Sequence, residues 1–223
     1  MDNTFDAPRR SPGRPTADTP AVTREQIIEA ALDAFAADGF DAMSLRALAR
    51  ELGVSHTLIH HYFGSKLELW EAGIELTFGA VRDSAFELVA SINGDSGPVE
   101  AAREFIRKSV IITSRYPNFL KIVLDEGGRG GDRLDFLYSN YFGPINDRWA
   151  DRIEALETSP PSLNPVDGRA LFFLCVFGGG APFYARELAR RFEGEDLAAQ
   201  GAIERYADLV AGMILDGLRV RRD

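Results

Sequence analysis

The chain has 223 residues, 45% of them hydrophobic, and a formal net charge of −9 at pH 7. This length and composition suffice for one large or two small domains with a hydrophobic core. The longest strongly apolar run, Leu171 to Phe177, is far shorter than the roughly 20 residues of a membrane helix, and the N-terminus lacks a signal-type apolar segment. The sequence therefore predicts a globular cytoplasmic protein without a membrane partner. The single cysteine, Cys175, excludes an internal disulfide.

The distribution of charge favours a local affinity for nucleic acid over a general one. The overall acidity disfavours a protein that coats DNA indiscriminately, because much of its surface would repel a phosphate backbone. Between Arg46 and Lys66, however, three cations stand against a single acid, Glu51. This segment is therefore a candidate contact surface for a polyanion.

Residues 1–22 differ in composition from the rest of the chain. They are rich in Pro, Asp, Thr and Arg and show no helical period. Segments of this kind cannot bury enough apolar surface to fold. We expect a flexible N-terminal arm at 1–22.

Capping residues and glycines predict two helices directly after the arm. Thr23 and Gln26 form a capping box, and apolar residues follow at helical spacing until Gly39, where the first helix is expected to end. Ser44 is expected to cap a second helix of barely two turns, which ends at Gly53.

Similar signals predict helices along the remainder of the chain. Ser55 caps a third short helix, and Ser65 with Glu68 forms a capping box before a longer fourth one. Turn-rich stretches interrupt the later helical patterns at residues 93–98, 126–132 and 157–168. No alternating strand pattern stands out, so the predicted fold class is all-α.

All three histidines of the chain, His56, His60 and His61, lie in the stretch GVSHTLIHHYFGSK. A zinc site of the metalloprotease type needs a glutamate directly after the first histidine, where Thr57 stands, and no third ligand is evident. A histidine base needs a nucleophile and an orienting group, and neither can be read nearby. We therefore predict no metal, no cofactor and no catalytic residue. Two interpretations remain: ordinary surface histidines, or a helix surface that contacts a partner.

The predicted third helix has one apolar and one polar face. Ile59 and Phe63 turn inward, whereas Thr57 and His61 point roughly opposite Ile59. Two short helices joined at a glycine, the second with a polar outer face, form a helix-turn-helix, whose second helix enters the major groove of DNA. This arrangement favours the interpretation that the histidines contact DNA.

The segment TREQIIEAALDAFAADGFDAMSLRALARELGVSHTLIHHYFGSKLEL resembles the N-terminal domain of TetR-type transcriptional regulators. The shared features are the pattern of the first helix, the turn at Gly39 and Phe40, the second helix and turn in LRALARELGVS, and the exit in YFGSK. The resemblance implies a three-helix, helix-turn-helix DNA-binding domain over residues 23–68. It also implies a helical domain for ligand binding and dimerisation over residues 69–223.

The resemblance makes His56 to Tyr62 the recognition helix, and it implies that Ser44, Arg46 and Lys66 grip phosphates. Helix N-termini and cations are general phosphate binders, which agrees with these roles. Where family members commonly have Gly-Thr-Leu-Tyr, this chain has the run from Thr57 to His60, so the usual threonine and tyrosine contacts are not carried over. The expected DNA-binding residues are Ser44, Arg46, Ser55, His56, Thr57, His60, His61, Tyr62 and Lys66.

Aromatic and aliphatic residues crowd the middle helices of the expected second domain. At helical spacing such residues ordinarily form core. The resemblance implies that a subset lines a cavity for a small-molecule effector, and both interpretations stay open for each residue. The expected ligand-binding residues are Phe105, Ile112, Tyr116, Phe119, Tyr138, Phe142 and Trp149.

The last two helices, about Asp167 to Phe192 and Asp196 to Arg219, are the dimerisation pair in the family layout. The segment ALFFLCVFGGGAPFY is too apolar for a solvent-facing surface, and its three consecutive glycines allow close helix approach. A buried intramolecular helix explains the same pattern nearly as well. The expected dimer-interface residues are Phe173, Phe177, Leu209 and Met213.

The function that these observations favour is that of a homodimeric transcriptional regulator and not of an enzyme. It would repress by binding a palindromic double-stranded DNA operator, and an unknown small-molecule effector would release it. A helical hydrolase or a metalloprotein that uses the histidine cluster is the rival interpretation. Metal analysis and a DNA-binding assay separate the two.

Overall fold

The computed structural model describes residues 22–91, 97–156, 168–194, 196–199 and 201–218. Across these ranges the chain forms helices and no strand, which confirms the predicted all-α class. The expected flexible arm lies outside the described residues, apart from Val22. Within the described part of the chain, no helix is both long and apolar enough to cross a membrane.

The first three helices begin where their capping residues predict. α1 (Arg24–Ala42) follows the Thr23 capping box, in which both bonds to Gln26 are present. α2 (Leu45–Glu51) follows Ser44, and α3 (His56–Phe63) follows Ser55. Each serine hydroxyl accepts an amide of its own first turn, at 3.4 Å in α2 and 3.1 Å in α3. Local capping therefore fixes the starts of all three helices.

The sequence predicted that α1 ends at Gly39, but in the structure Gly39 kinks the helix and does not end it. The helix continues to Ala42 beyond Gly39, whose φ of +76° lies in the region that glycine adopts without strain. After the kink, the ring of Phe40 stacks on Phe35 with centroids 5.7 Å apart and meets Trp70 edge-on at 6.2 Å. The kink thus introduces an aromatic side chain into the core.

The long helix α4 (Lys66–Ser91) joins the two parts of the fold, and the domain boundary predicted at residues 68–69 falls within its first turn. Ser65 accepts the amide of Glu68 at 3.1 Å as expected, while the Ser65 amide donates to the Phe63 carbonyl and not to Glu68. The following helices are α5 (Gly97–Arg115), α6 (Pro117–Arg129), α7 (Asp132–Leu137) and α8 (Gly143–Leu156).

The predicted breaks between these helices have different outcomes. The stretch at 126–132 is a break only at Gly130 and Gly131, where φ is +74° and +88°. The stretches at 93–98 and 157–168 lie almost entirely outside the described residues. A π-helical segment (Tyr138–Phe142), which the sequence did not predict, joins α7 to α8.

The predicted helix from Asp167 to Phe192 is a series of shorter segments. They are α9 (Gly168–Phe173), a second π-helical segment (Leu174–Gly178), α10 (Gly179–Tyr184) and α11 (Arg186–Ala189). Pro182 lies inside α10, and Ala185 leaves the helical region with φ −97° and ψ 42°. The last helix, α12 (Ala202–Leu218), begins later than the predicted Asp196.

One large core joins the first three helices to the rest of the fold. Its members include residues of α1, α2, α3, α4, α6 and α7, and Ile27, Ile59, Trp70 and Leu120 are each at most 1% exposed. α1 packs on both α4 and α6, while two smaller clusters lie largely between α5 and α12. The helix-turn-helix therefore shares buried side chains with the helices that follow it.

Two glycines let α10 approach α5 and α6 closely. A Cβ atom on Gly180 would lie 2.6 Å from Cδ1 of Leu120, and one on Gly179 would lie 2.8 Å from Cγ2 of Val110. Separations this short leave no room for a side chain. The apolar segment around these glycines thus packs within the chain along part of its length.

Candidate nucleic-acid interface

The helix-turn-helix has a tight turn with its polar groups satisfied. Gly53 has φ +67°, and the amide of Val54 donates to the Ala49 carbonyl at 2.9 Å. Ile59 and Phe63 are buried beneath α3. The structure thus confirms that α3 has one apolar and one polar face. The apolar face packs on the core, and the polar face points outward.

The outer face of α3 carries hydrogen-bonding and aromatic side chains. Thr57, His60, His61 and Tyr62 are exposed, and His56 is half-buried. The rings of His56 and His60 meet at a centroid distance of 5.5 Å and an interplanar angle of 71°. These groups can donate to and accept from base edges, and the threonine methyl can contact a thymine methyl.

The histidines have ring neighbours on their own helix, since His61 also lies 6.0 Å from the ring of Tyr62. Within the described ranges, no group of three His, Cys, Asp or Glu side chains is placed to hold a metal ion. The three histidine side chains thus lie along α3 in contact with one another or with Tyr62.

Cations flank α3 on the neighbouring helices. Arg46 and Arg50 are exposed on α2, and Ser44 caps the N-terminus of that helix. Lys66, at the start of α4, donates from Nζ to the carbonyl of Asp41 at 3.1 Å and lies 4.8 Å from the centroid of the Phe40 ring. The predicted phosphate contact Lys66 therefore also has contacts within the protein.

Arg24 is a further cation beside α3 that the sequence analysis did not identify. It is exposed on the first turn of α1, and its guanidinium carbon lies 5.0 Å from the centroid of the Phe63 ring. That contact holds the charge at the end of α3. Only its position directly after the Thr23 cap could have drawn attention to it.

The predicted ligand-binding residues do not all come together. Phe119 and Phe142 lie around Phe78, with ring centroids 4.4 and 6.1 Å from it, and Ile112 and Tyr116 pack against the same core. Phe105 belongs instead to the cluster between α5 and α12, and Tyr138 is 57% exposed. The side chain of Trp149 lies outside the described residues.

A hydrogen-bonded pair of polar side chains, which the sequence analysis did not identify, borders this aromatic cluster. The hydroxyl of Tyr141 donates to Oε2 of Glu75 at 2.6 Å, and the Tyr141 ring lies 5.5 Å from that of Phe78. Burial, reinforced by the hydrogen bond to Glu75, raises the pKa of Tyr141. The region thus combines apolar rings with a hydrogen-bonded acid and phenol, the mixture that small-molecule sites use.

Two surface clefts lie elsewhere. The first, of about 310 Å³, lies between the start of α6 and the end of α10, with Lys121, Tyr184 and Arg186 among its walls. The second, of about 370 Å³, lies along α1 beside Leu52. Neither cleft is lined by a residue predicted to bind a ligand.

The predicted dimer-interface residues are apolar and largely uncovered. Phe173 is 55% and Met213 is 69% exposed, and Leu209 is exposed as well. Phe177 is half-buried, and its ring stacks on that of Phe173 at 5.2 Å. Exposed large apolar side chains are typical of an interaction site where they form a contiguous patch.

A helix-turn-helix whose second helix exposes a polar face between cations is the arrangement of a DNA-binding regulator. The family model for bacterial regulatory proteins of the tetR family matches residues 27–72. The regulator BetI of Rhizobium meliloti is 39% identical over 88 residues, which span 40% of this chain and 42% of BetI. The regulator RutR of Escherichia coli K12 is 26% identical over 205 residues, 90% of this chain and 92% of RutR.

The similarity of fold extends beyond the matched N-terminal region. The structure of the ketosteroid regulator KstR2 of Mycobacterium tuberculosis covers 93% of this chain with a TM-score of 0.63 at 18% identity, and all of that chain is covered. Residues 27–72 thus match a DNA-binding domain of the tetR type, and the chain is similar to a transcriptional regulator over most of its length. Its relatives are named as transcriptional regulators and not as enzymes, which confirms the predicted class.

Proposed function

We propose that this regulator is a homodimeric repressor that binds a palindromic operator and leaves it when a small molecule binds the second domain. The proposal rests on the exposed polar face of α3, flanked by cations, on a chain whose last helices expose apolar side chains. Two-fold symmetry would then present two recognition helices to two half-sites about one helical turn, roughly 34–36 Å, or a multiple apart. Such a regulator acts in the cytoplasm.

DNA contacts divide by chemistry into two groups. Cations and helix N-termini bind phosphates, so Ser44, Arg46 and Lys66 are assigned to the DNA backbone, with Arg24 as an addition. Lys66 keeps further N–H donors beyond its bond to Asp41, because an ammonium group has three. Ser55, which caps α3, and the polar side chains on that helix are assigned to base edges, and the latter are His56, Thr57, His60, His61 and Tyr62.

The dimer is assigned to the exposed apolar residues of the C-terminal helices. Phe173 and Met213 would lose most of their exposed surface in an interface, which is a favourable exchange of about 25 cal/mol for each Å² of apolar area. Leu209, which is exposed, and Phe177, which stacks on Phe173, would add apolar area to this interface. A two-fold axis through this face would pair it with itself.

The effector site is assigned to the aromatic cluster around Phe78. Phe119, Phe142 and Tyr141 surround that ring, and Ile112 and Tyr116 flank the core beside it. The adjacent π-helical segment supports this assignment, since π-helical turns occur frequently at functional sites. An effector that replaced these ring contacts would shift α6, which packs on α1 of the DNA-binding domain.

The test is an electrophoretic shift on the promoter region of the protein's own gene, combined with light scattering. A dimer of the 24.5 kDa chain that shifts this DNA in the presence of excess unrelated DNA is expected. The Thr57→Ala variant should lose this preference while it remains a dimer. A monomeric protein, or equal shifts of promoter and unrelated DNA, would contradict the proposal.

A further inference from the structure

Two cations lie close to the Phe40 ring at the junction of the helix-turn-helix and the second domain. Nζ of Lys66 is 4.8 Å and Cζ of Arg133 is 4.1 Å from the ring centroid. A cation within about 6 Å of an aromatic ring is attracted by the negative charge on the ring face. Because Arg133 lies on α7 and Phe40 on the kinked end of α1, their contact crosses from one domain to the other.

Arg133 is itself held by a buried carboxylate. Its Nε donates to Oε1 of Glu126 at 2.8 Å, and Glu126 is only 2% exposed. The other carboxylate oxygen of Glu126 is buried without a hydrogen-bond partner among the described residues. A buried charge is costly when its partner leaves, so Glu126 fixes the guanidinium of Arg133 in place.

The short turn that carries Phe40 is also bound at its next residue. The Asp41 carbonyl accepts from Lys66 at 3.1 Å, and its carboxylate pairs with Nη1 of Arg129 at 3.1 Å. Arg129 and Asp41 are both largely exposed, so solvent screens that pair. The contact of Arg133 with Phe40 is the better shielded link, since the side chains of Arg133 and Glu126 are mostly buried.

We propose that Arg133 is a positioning residue for DNA binding: braced by Glu126, it holds the Phe40 turn and so fixes the orientation of α2 and α3 relative to the second domain. The inference rests on the proposed dimeric function, because a fixed orientation matters when two recognition helices must match two half-sites at once. A protein in which the competent arrangement is only partly populated binds with an affinity reduced by that fraction. Loss of Arg133 therefore weakens operator binding and relaxes its geometric selectivity.

The experiment uses an operator selected from random DNA and two derivatives with one base pair added or removed at its centre. Affinities of the full-length protein are measured by fluorescence anisotropy over a series of salt concentrations. The variant is Arg133→Met, which keeps the stem and removes the charge. The control is Arg148→Met, because Cζ of Arg148 lies 4.0 Å from the Phe86 ring in a similar contact within the second domain.

We expect Arg133→Met to bind the selected operator about tenfold more weakly, to discriminate less between the three spacings, and to keep the wild-type salt slope. Arg148→Met should match the wild type in all three respects. Arg133→Lys, which restores a cation, should recover part of the affinity and the discrimination. If Arg133→Met does not fold, Glu126→Gln is the substitute, with the same expected changes.

Three results would overturn the inference. The first is that Arg133→Met and Arg148→Met have the same operator affinity, spacing discrimination and salt slope. The second is that Arg133→Met loses affinity but discriminates between the three spacings as well as the wild type. The third is a salt slope lowered by about one per subunit, which would make Arg133 a phosphate contact. A wild type that binds one half-site as a monomer would instead overturn the proposed dimeric function, and this inference with it.

Discussion

The proposed function divides the side chains around α3 into cations assigned to phosphates and polar groups assigned to bases, and the two groups predict different mutant behaviour. Arg46→Ala and Arg24→Ala should weaken binding about equally on all sequences and lower the salt slope by about one per subunit, because each lost phosphate contact releases fewer counterions. Thr57→Ala and His56→Ala should leave the slope unchanged and alter the preferred sequence. Salt titrations and selection of binding sites distinguish these effects.

A control for the proposed phosphate contacts is Arg190→Ala directly after α11, where the arginine pairs with Glu187 at 2.6 Å. This substitution removes an exposed cation far along the chain from α3 and should change neither slope nor preference. If Thr57→Ala lowered the salt slope while Arg46→Ala changed base preference, the assignment of roles on this surface would be wrong.

Cys175 offers a residue-scale test of the core. It is 1% exposed, and burial raises the pKa of its thiol from an ordinary value of 9.0 to about 12. Iodoacetamide at pH 8 should therefore label it very slowly in the folded protein and rapidly in urea, because the thiolate is the reactive form. Rapid labelling of the folded protein would contradict the packing of Cys175 beneath α5 and α12.

The same shift predicts a pH dependence. Because the pKa of Cys175 is raised on folding, the protonated thiol stabilises the folded state below pH about 9, and this contribution is lost as the pH rises toward 12. Urea denaturation at pH 8 and pH 10 measures it. The free energy of unfolding of the wild type should fall more over this interval than that of Cys175→Ala.

Residues whose role depends on near neighbours in sequence were predictable, whereas those defined by distant contacts were not. The caps at Thr23, Ser44 and Ser55 act on amides three residues away, so their sequence signals suffice. Arg24 could not be recognised as a flanking cation, because the ring that holds it belongs to Phe63 on another helix.

At the scale of elements, the α2–α3 turn is the most sharply testable. Gly53 has φ +67° and open space around its missing Cβ, so Gly53→Ala should cost only backbone strain, about 1–2 kcal/mol. Gly127 also has open space, but it lies in α6 without a positive φ, and Gly127→Ala should stabilise by about 0.5–1 kcal/mol. Urea denaturation of both variants measures their free energies of unfolding. A Gly53→Ala protein as stable as Gly127→Ala would contradict the positive φ of Gly53 in this turn.

The elements with regular local patterns were predicted well, and those shaped by packing were not. The two π-helical segments, Tyr138–Phe142 and Leu174–Gly178, have no signal in residue spacing. They lie where the rings of Phe142 and Phe172 meet at 5.7 Å, a contact between distant parts of the sequence. A contact of this kind has no local sequence signal, whereas Pro182 lies inside the predicted helix from Asp167 to Phe192, which is divided.

For the whole molecule, the proposed dimer predicts that charge on the exposed apolar face dissociates it. Phe173→Glu and Met213→Glu should lower the dimer population in light scattering and weaken operator binding, since a single half-site contact holds DNA weakly. Leu124→Glu is the matched control, because Leu124 is exposed on α6 outside this face. If Leu124→Glu dissociated the dimer and the other two variants did not, the interface would lie on α6.

The arrangement of the two domains was beyond the reach of the sequence. The continuity of the core from α1 through α4 to α6, and the contact of Arg133 with Phe40, join residues that no local pattern relates. The family resemblance supplied the order of the domains. It did not supply the aromatic cluster around Phe78, where only part of the expected ligand-binding residues meet.

The central claim is that α3 of a dimer reads DNA sequence, and selection of bound fragments from a random DNA pool tests it most directly. The wild type should enrich one two-fold symmetric motif whose half-sites lie about one helical turn or a multiple apart. The same selection with Thr57→Ala should enrich a motif altered at matching positions in both halves. Enrichment of no motif, or of an identical motif by both proteins, would contradict the claim.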